Sequence, residues 1–110
     1  MVNEEKYVLR YLPLFYEDVA EKVDYITFHL KNPDTANKLL DDVETAILER
    51  LPECEAFEQY HSKKERKYPY YRIYVNNFII YYVVIDDEGD NKIMEIRRFL
   101  YKGQNRKLII

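Results

Sequence analysis

The period of the hydrophobic positions changes along the chain and predicts a strand followed by two helices. Over 7–12 the apolar and aromatic residues alternate, with Tyr7, Leu9 and Tyr11 on one side, which is typical of a β-strand. Over 14–30 they recur every three or four positions and predict one helical face. That face comprises Phe15, Val19, Val23, Ile26 and Leu30. We expect the solvent side to carry Glu17, Asp18, Glu21, Lys22 and Asp24.

A second helical stripe begins after Asn32-Pro33. Asn is a favoured N-cap and Pro fits the first helical position, so this pair marks a helix start. The apolar residues of the second stripe are Ala36, Leu39, Leu40, Val43, Ile47 and Leu51. Pro52 ends it. Because only Lys31 and Asn32 separate the two helices, we expect an antiparallel helical hairpin.

The rest of the chain predicts three strands after a long loop. Residues 52–69 show no period and are interpreted as that loop. The strands are predicted over 70–75, 78–85 and 91–100, with a tight turn at Asn76-Asn77. The almost continuously apolar run 78–85 indicates a central strand buried on both faces. We therefore predict one α+β domain over 1–110, ordered β-α-α-β-β-β, with a helical hairpin covering one face of an antiparallel sheet.

Composition excludes several protein classes. The 110 residues contain one cysteine, Cys54, which excludes an internal disulfide. No apolar run approaches the roughly 18 residues of a membrane span, and the N-terminus does not resemble a secretion signal, so we expect a cytoplasmic protein. We expect no metal or cofactor, because Asp41 and Asp42 diverge on a helix and the acidic run 86–90 lacks the calcium-loop pattern.

Charge is divided unevenly, although the net value is only −3. Residues 1–59 carry six basic and fourteen acidic side chains, whereas residues 60–110 carry eleven basic and six acidic ones. Seven of the twelve tyrosines lie between Tyr60 and Tyr82, interleaved with lysines and arginines. Cations bind phosphates and tyrosines stack on unpaired bases, so this half of the chain is suited to single-stranded RNA.

Alternation makes a separate prediction for each of the strand arginines. Arg72 alternates against Tyr71, Ile73 and Val75, so it is expected on the exposed sheet face if that set faces the core. Arg98 falls on the core side with Met94, Ile96 and Leu100. A buried arginine needs a partner, so Arg98 is either a structural cation or a residue of a cleft. Arg97 and Glu95 are expected to form a surface pair.

Two longer stretches carry a pattern known from one protein family. The stretch YYRIYVNNFIIYYVV spans 70–84, and IMEIRRFLYKGQNRKLI spans 93–109. Together with the helical hairpin they resemble the strands and tail of the RelE/ParE superfamily of bacterial toxins. On that match Arg98 takes the place of the family's strand arginine, and Tyr101 takes the aromatic position after it. The resemblance covers nearly the whole chain and implies a compact α+β toxin of a type II toxin–antitoxin module.

The resemblance also implies partners and a candidate site. The partners are a cognate antitoxin and, for RelE-like relatives, ribosome-bound mRNA that is cleaved without a metal. The candidate catalytic residues are His61, Lys63, Lys64, Arg66 and Arg72. The candidate nucleic-acid-binding residues are Lys67, Tyr68, Arg98, Tyr101, Lys102, Arg106 and Lys107.

Two other functions stay open. RelE-like toxins carry an arginine after the aromatic residue that opens the central strand, whereas Ile79 follows Phe78 here. One alternative is therefore a ParE-like toxin that inhibits DNA gyrase without catalysis. The other is a non-toxic relative that only binds a partner. The apolar end 108–110 could dock on an antitoxin or on a second copy of the chain, which would form a homodimer.

Overall fold

The structure is a computed structural model and describes residues 6–60 and 66–104. All six predicted elements are present, together with one additional short strand. The elements are β1 (Tyr7–Tyr11), α1 (Pro13–Asp24), α2 (Pro33–Arg50), β2 (Gln59–Tyr60), β3 (Tyr70–Val75), β4 (Phe78–Ile85) and β5 (Lys92–Tyr101). A π-helical turn, Tyr25–His29, extends α1, and a 3-10 turn, Leu51–Glu53, follows α2. No helix among the described residues is long and apolar enough to cross a membrane.

The strands form a single mixed sheet in the order β1-β5-β4-β3-β2. The pairs β3–β4 and β4–β5 are antiparallel, as predicted, and the additional strand β2 also pairs antiparallel with β3. β1, however, runs parallel to β5, with Tyr7 opposite Lys92 and Tyr11 opposite Ile96. The prediction of an antiparallel sheet was therefore wrong at this strand. The helical hairpin that follows β1 is long enough to return the chain to either end of the sheet, so local periodicity does not decide the direction.

Part of the predicted loop 52–69 is regular. Residues Gln59–Tyr60 form β2, which pairs with β3 through Gln59 opposite Tyr71 and Tyr60 opposite Tyr70. A strand of two residues is too short to show a period, which is why the hydrophobic pattern missed it.

Local chemistry sets the two predicted connections. The Asn32 side-chain oxygen accepts a hydrogen bond from the Thr35 backbone N–H at 3.2 Å, and Pro33 opens α2, which confirms the helix start. Lys31, just before this cap, has a φ of +52°. Asn76 has a φ of +53° in the turn between β3 and β4, a left-handed conformation that Asn tolerates. The helical hairpin and the β-hairpin are both confirmed.

The helices pack on one side of the sheet, which we call the helix face. The fully or largely buried members of this core include Phe15, Ile26, Leu39, Val43, Ile47, Tyr71, Ile73, Tyr82, Met94, Ile96 and Phe99. Two residues assigned to the apolar stripes are instead 57% exposed (Leu30) and 40% exposed (Leu40), because they lie at the margins of those stripes. Asp18 and Lys22, expected on the solvent side of α1, are buried.

The opposite side of the sheet, which we call the far face, carries a second apolar cluster. Its buried members are Tyr70, Ile79, Tyr81, Val83, Ile85 and Leu100, with Tyr60, Tyr68 and Ile93 packed against them. Since Ile80 and Tyr82 belong to the core of the helix face, β4 is buried on both sides. The predicted central strand is therefore confirmed.

A β-bulge changes the alternation near the end of β5. Tyr82 is opposite Ile96 and Tyr81 is opposite Arg98, so Arg97 is the extra residue. After the bulge Phe99 packs on the helix face and Leu100 on the far face. The prediction that Arg98 and Leu100 lie on the core side with Ile96 was therefore wrong, because one inserted residue reverses the sides of all that follow.

Asp18 closes the edge of β5 beyond the end of β1. β1 ends level with Ile96, whose carbonyl accepts a hydrogen bond from the Leu12 N–H at 2.9 Å. α1 then runs beside the rest of β5, and the Asp18 carboxylate accepts the Phe99 N–H at 3.0 Å. The same carboxylate binds Arg98 through Nε at 2.7 Å and Nη2 at 2.9 Å. Arg98 therefore takes the structural role that the alternation left open.

Candidate functional site

The alternation of β3 places Tyr70, Arg72 and Tyr74 on the far face, because Tyr71 and Ile73 pack towards the helices. β2 brings Tyr60 beside this strand, and Lys102 follows the end of β5. The side chains of Tyr60, Arg72, Tyr74 and Lys102 contact one another in sequence, and we call them the cation–aromatic patch. Arg72 therefore lies on the side of the sheet that its alternation predicts.

Cations and rings alternate across the cation–aromatic patch. The Arg72 guanidinium carbon lies 4.8 Å from the centre of the Tyr60 ring and 5.8 Å from that of Tyr74. The Lys102 ammonium lies 5.6 Å from the centre of the Tyr74 ring. Tyr74 is 54% exposed, so this ring presents area to solvent between two cations. Such contacts hold the cations against the rings through the ring quadrupole and leave their N–H groups able to bind an anion.

Arg72 and Lys102 differ from neighbouring cations because no carboxylate of residues 6–60 or 66–104 pairs with them. Four other cations of this half are neutralised at 2.7–2.8 Å: Lys67 by Asp87, Lys92 by Glu55, Arg97 by Glu95 and Arg98 by Asp18. In each of these pairs the carboxylate cancels most of the cation's charge, so the cation attracts a further anion only weakly. Arg72 and Lys102 thus give the cation–aromatic patch its net positive charge.

A second group of rings and cations adjoins the patch on β3. The Arg66 and Arg97 guanidinium carbons lie 4.8 Å and 5.9 Å from the Tyr70 ring centre. Arg97 also donates to Glu95 at 2.8 Å, and Arg10 donates to the other Glu95 oxygen at 2.7 Å. The predicted pair of Arg97 and Glu95 therefore forms, but Glu95 is only 4% exposed, so the prediction that the pair lies at the surface was wrong. β1 brings Arg10 opposite Glu95, and the two arginines bury the carboxylate between them.

The strand that carries Arg72 is fixed from the helix face by Arg50, at the end of α2. Arg50 donates from Nη1 to the Arg72 carbonyl and to the Tyr82 hydroxyl, both at 3.1 Å. Its guanidinium carbon lies 3.5 Å from the centre of the Phe57 ring. The Tyr82 hydroxyl in turn donates to the Cys54 carbonyl at 2.6 Å, and burial raises the pKa of Tyr82 to about 12. These bonds hold the backbone at Arg72 in place and limit its movement on binding.

Two predicted binding residues are engaged at the opposite end of the sheet. Lys67 forms an ion pair with Asp87 at 2.8 Å, and the Tyr68 hydroxyl donates to the same carboxylate. Asp87 raises the pKa of both Lys67 and Tyr68, and Lys67 lowers the pKa of Asp87. These residues line a cleft of about 240 Å³ with Glu55 and Asp86, whose carboxylates disfavour phosphate.

The other predicted site residues do not join the patch. Tyr101 packs against Phe78, with ring centres 5.9 Å apart, and lines a groove on the helix face. Arg98 is held by Asp18. The candidates His61, Lys63, Lys64, Arg106 and Lys107 lie outside the described residues.

Sequence reasoning missed Tyr74 as a site residue. The sequence did contain a signal for Tyr74, because this residue follows Arg72 by two positions and the two must share a face of the same strand. What the sequence did not contain was the position of Lys102, which reaches Tyr74 because the Lys102 N–H bonds to the Asn77 carbonyl at 2.8 Å.

The chemistry of the patch is that of anion binding and ring stacking. Within residues 6–60 and 66–104, no group of three His, Cys, Asp or Glu side chains is arranged to hold a metal ion. No family model matches the chain, and no curated protein matches it either.

Proposed function

We propose that the chain is the toxin of a type II toxin–antitoxin module and cleaves ribosome-bound mRNA without a metal. Two separate observations support this proposal. One is the sequence resemblance to the RelE/ParE superfamily over 70–84 and 93–109. The other, which carries most weight, is the exposed Tyr74 ring between Arg72 and Lys102, two cations that no described carboxylate neutralises. The proposed substrate implies a cytoplasmic protein, and the proposed module implies a cognate antitoxin as its partner.

The cation–aromatic patch suits single-stranded RNA better than a duplex. An unpaired base can stack on the exposed Tyr74 ring, an interaction worth about 1–3 kcal/mol per base. Arg72 and Lys102 flank that ring and can bind the phosphates on either side of the stacked nucleotide. A base within a duplex is already stacked on its neighbours and offers no free face to the ring.

Cleavage in this proposal uses the ribose 2′-hydroxyl as the nucleophile. The hydroxyl oxygen attacks the adjacent phosphorus, its proton passes to a base, and the departing 5′ oxygen receives a proton from an acid. Arg72 and Arg66 would stabilise the charge of the phosphorane, because arginines bind two of its oxygens at once. His61, Lys63 and Lys64 are the other predicted catalytic residues, and they lie within the five positions before Arg66 in the chain.

RNA binding tests the proposal directly. We expect a fluorescein-labelled, unstructured RNA to bind the purified chain, and Arg72→Gln, Tyr74→Leu and Lys102→Gln each to weaken binding about 5–100-fold. The two charge removals should each reduce the salt dependence of binding by about 0.7 in log–log slope, whereas Tyr74→Leu should leave it unchanged. Lys38→Gln, which removes the same charge on α2, is the matched control and should bind normally.

A cellular experiment separates RNA cleavage from gyrase inhibition. The chain is expressed from a tightly controlled promoter while translation and plasmid supercoiling are followed in the same culture. We expect translation to fail first, with mRNAs cut at codon boundaries, and Arg72→Gln to restore growth at equal protein level. Loss of supercoiling before loss of translation would instead identify a ParE-like gyrase inhibitor. Unimpaired growth with soluble, folded protein would refute the toxin assignment.

A further inference from the structure

The pairing between β2 and β3 stops one residue before Arg72. Gln59 is opposite Tyr71, so a longer β2 would place Glu58 opposite Arg72. The Arg72 carbonyl instead accepts a hydrogen bond from Arg50 Nη1 at 3.1 Å. Arg50, the last residue of α2, therefore takes the place of a strand donor at this edge of β3.

The same guanidinium also contacts the segment that leads into β2. Its central carbon lies 3.5 Å from the centre of the Phe57 ring, two residues before β2 begins. On the far face, the Arg72 guanidinium lies 4.8 Å from the ring centre of Tyr60, the second residue of β2. A strand of two residues makes few hydrogen bonds of its own, so the position of the Tyr60 ring depends on how the preceding segment is held. The Arg50 guanidinium is thus bonded to β3 through a carbonyl and to the chain before β2 through a ring.

The core fixes the Arg50 guanidinium in turn. Arg50 Nη1 also donates to the Tyr82 hydroxyl at 3.1 Å, and that hydroxyl donates to the Cys54 carbonyl at 2.6 Å. Tyr82 and Cys54 are both fully buried, so neither can move without disturbing close-packed neighbours. A contact on the helix face therefore connects the cation–aromatic patch of the far face to the rigid core.

We propose that Arg50 and Phe57 form a positioning latch for the RNA site, which holds Arg72 and Tyr60 in their binding geometry before RNA arrives. This inference rests on the proposed function, because it takes the cation–aromatic patch as the surface that binds RNA. The latch residues do not contact the RNA in this proposal. A site that is already ordered loses less conformational entropy on binding, so its affinity is higher. RNA affinity therefore depends on two residues outside the patch.

RNA binding by latch variants tests this inference. Phe57 is 45% exposed, so Phe57→Leu leaves the core intact; it should weaken binding of the unstructured RNA about 2–5-fold, as expected for the loss of one cation–π contact. Arg50→Met also removes the donor to β3 and should weaken binding about 3–20-fold. Phe28→Leu, at a ring of the π-helical turn that is 72% exposed, is the matched control and should bind normally.

Three readouts separate positioning from lost stability and from direct contact with RNA. The log–log slope of binding against salt should equal that of the wild type in both latch variants, because no phosphate contact is removed. Asp18→Ala, which destabilises the protein at the edge of β5, should bind RNA normally under conditions where it is folded. In an Arg72→Gln background Phe57→Leu should cause little further loss, because the contact that it positions is already gone.

The free protein offers a spectroscopic readout that does not depend on RNA. The NMR resonance of the Arg72 Nε–H group is identified by its loss in Arg72→Gln. It should shift in both latch variants, because the Tyr60 ring moves relative to the guanidinium. Normal RNA affinity in both variants, an unchanged resonance, or a salt slope lowered by about 0.7 would overturn the proposal. Failure of the wild type to bind RNA would refute the proposed function, and the role of the latch with it.

Discussion

Replacing Asp18 by alanine should destabilise the protein more than replacing any other charged residue of α1 by alanine. The carboxylate is 5% exposed and accepts three hydrogen bonds, two from Arg98 and one from the Phe99 N–H. Its removal leaves a guanidinium without its counter-ion and a strand-edge N–H without an acceptor. Breaking a buried ion pair by removing one partner costs about 3–5 kcal/mol. The Arg98 side chain is 20% exposed and can recover some hydration, so we expect a loss of about 2–4 kcal/mol.

Urea unfolding followed by far-ultraviolet circular dichroism measures this loss. For a domain of this size a slope of about 2 kcal/mol/M converts the loss into a midpoint shift of about 1–2 M. Asp18→Asn keeps an oxygen for the Phe99 N–H and should cost about half as much. Glu17→Ala, one residue earlier on the exposed side of α1, is the matched control and should change stability by less than about 0.5 kcal/mol.

A double-mutant cycle with Arg98→Met decides whether the ion pair is the cause. The Asp18→Ala, Arg98→Met protein should be more stable than the sum of the single losses predicts, with a coupling of about 1–3 kcal/mol. A loss below about 1 kcal/mol for Asp18→Ala would refute the reasoning, as would additive single losses. A small loss would mean that β5 does not depend on α1 to close its edge, and additive losses would mean that the ion pair with Arg98 is not the cause.

Two further predictions concern stability. Lys92 and Tyr7 hold the pKa of Glu55 below its usual value through hydrogen bonds of 2.8 Å. The stability that these two bonds contribute is therefore present above pH 4.5 and is lost as the pH falls further. The difference in unfolding free energy between the wild type and Glu55→Gln should therefore shrink from pH 6 to about pH 3, and a constant difference would contradict it. Leu39→Ala should lower the free energy of unfolding by about 2–4 kcal/mol and Leu40→Ala by less than about 1 kcal/mol, because Leu39 is 3% and Leu40 is 40% exposed. Thermal unfolding of the two variants measures both losses, and equal losses would contradict this prediction.

Much of the candidate site could be predicted from the sequence because it depends on local alternation. Arg72 and Tyr74 share a face of β3 whatever the strand pairs with, and the basic, tyrosine-rich composition around them was visible directly. Lys102 was among the predicted binding residues, but its place beside Tyr74 could not be predicted from alternation. It depends on the end of β5 meeting the turn after β3, a contact between distant parts of the chain.

The sequence by itself determined the elements whose signals lie within a few residues. The Asn32 cap and the Asn76 turn act through neighbouring backbone groups, and the apolar run of β4 is visible in consecutive residues; each is where the pattern predicts it. Only the tertiary structure decided the parallel direction of β1, the bulge at Arg97 and the buried partners of Arg98 and Glu95. Strand pairing and ion pairing join residues that are far apart in the chain, and their free energy depends on distances that no local period encodes.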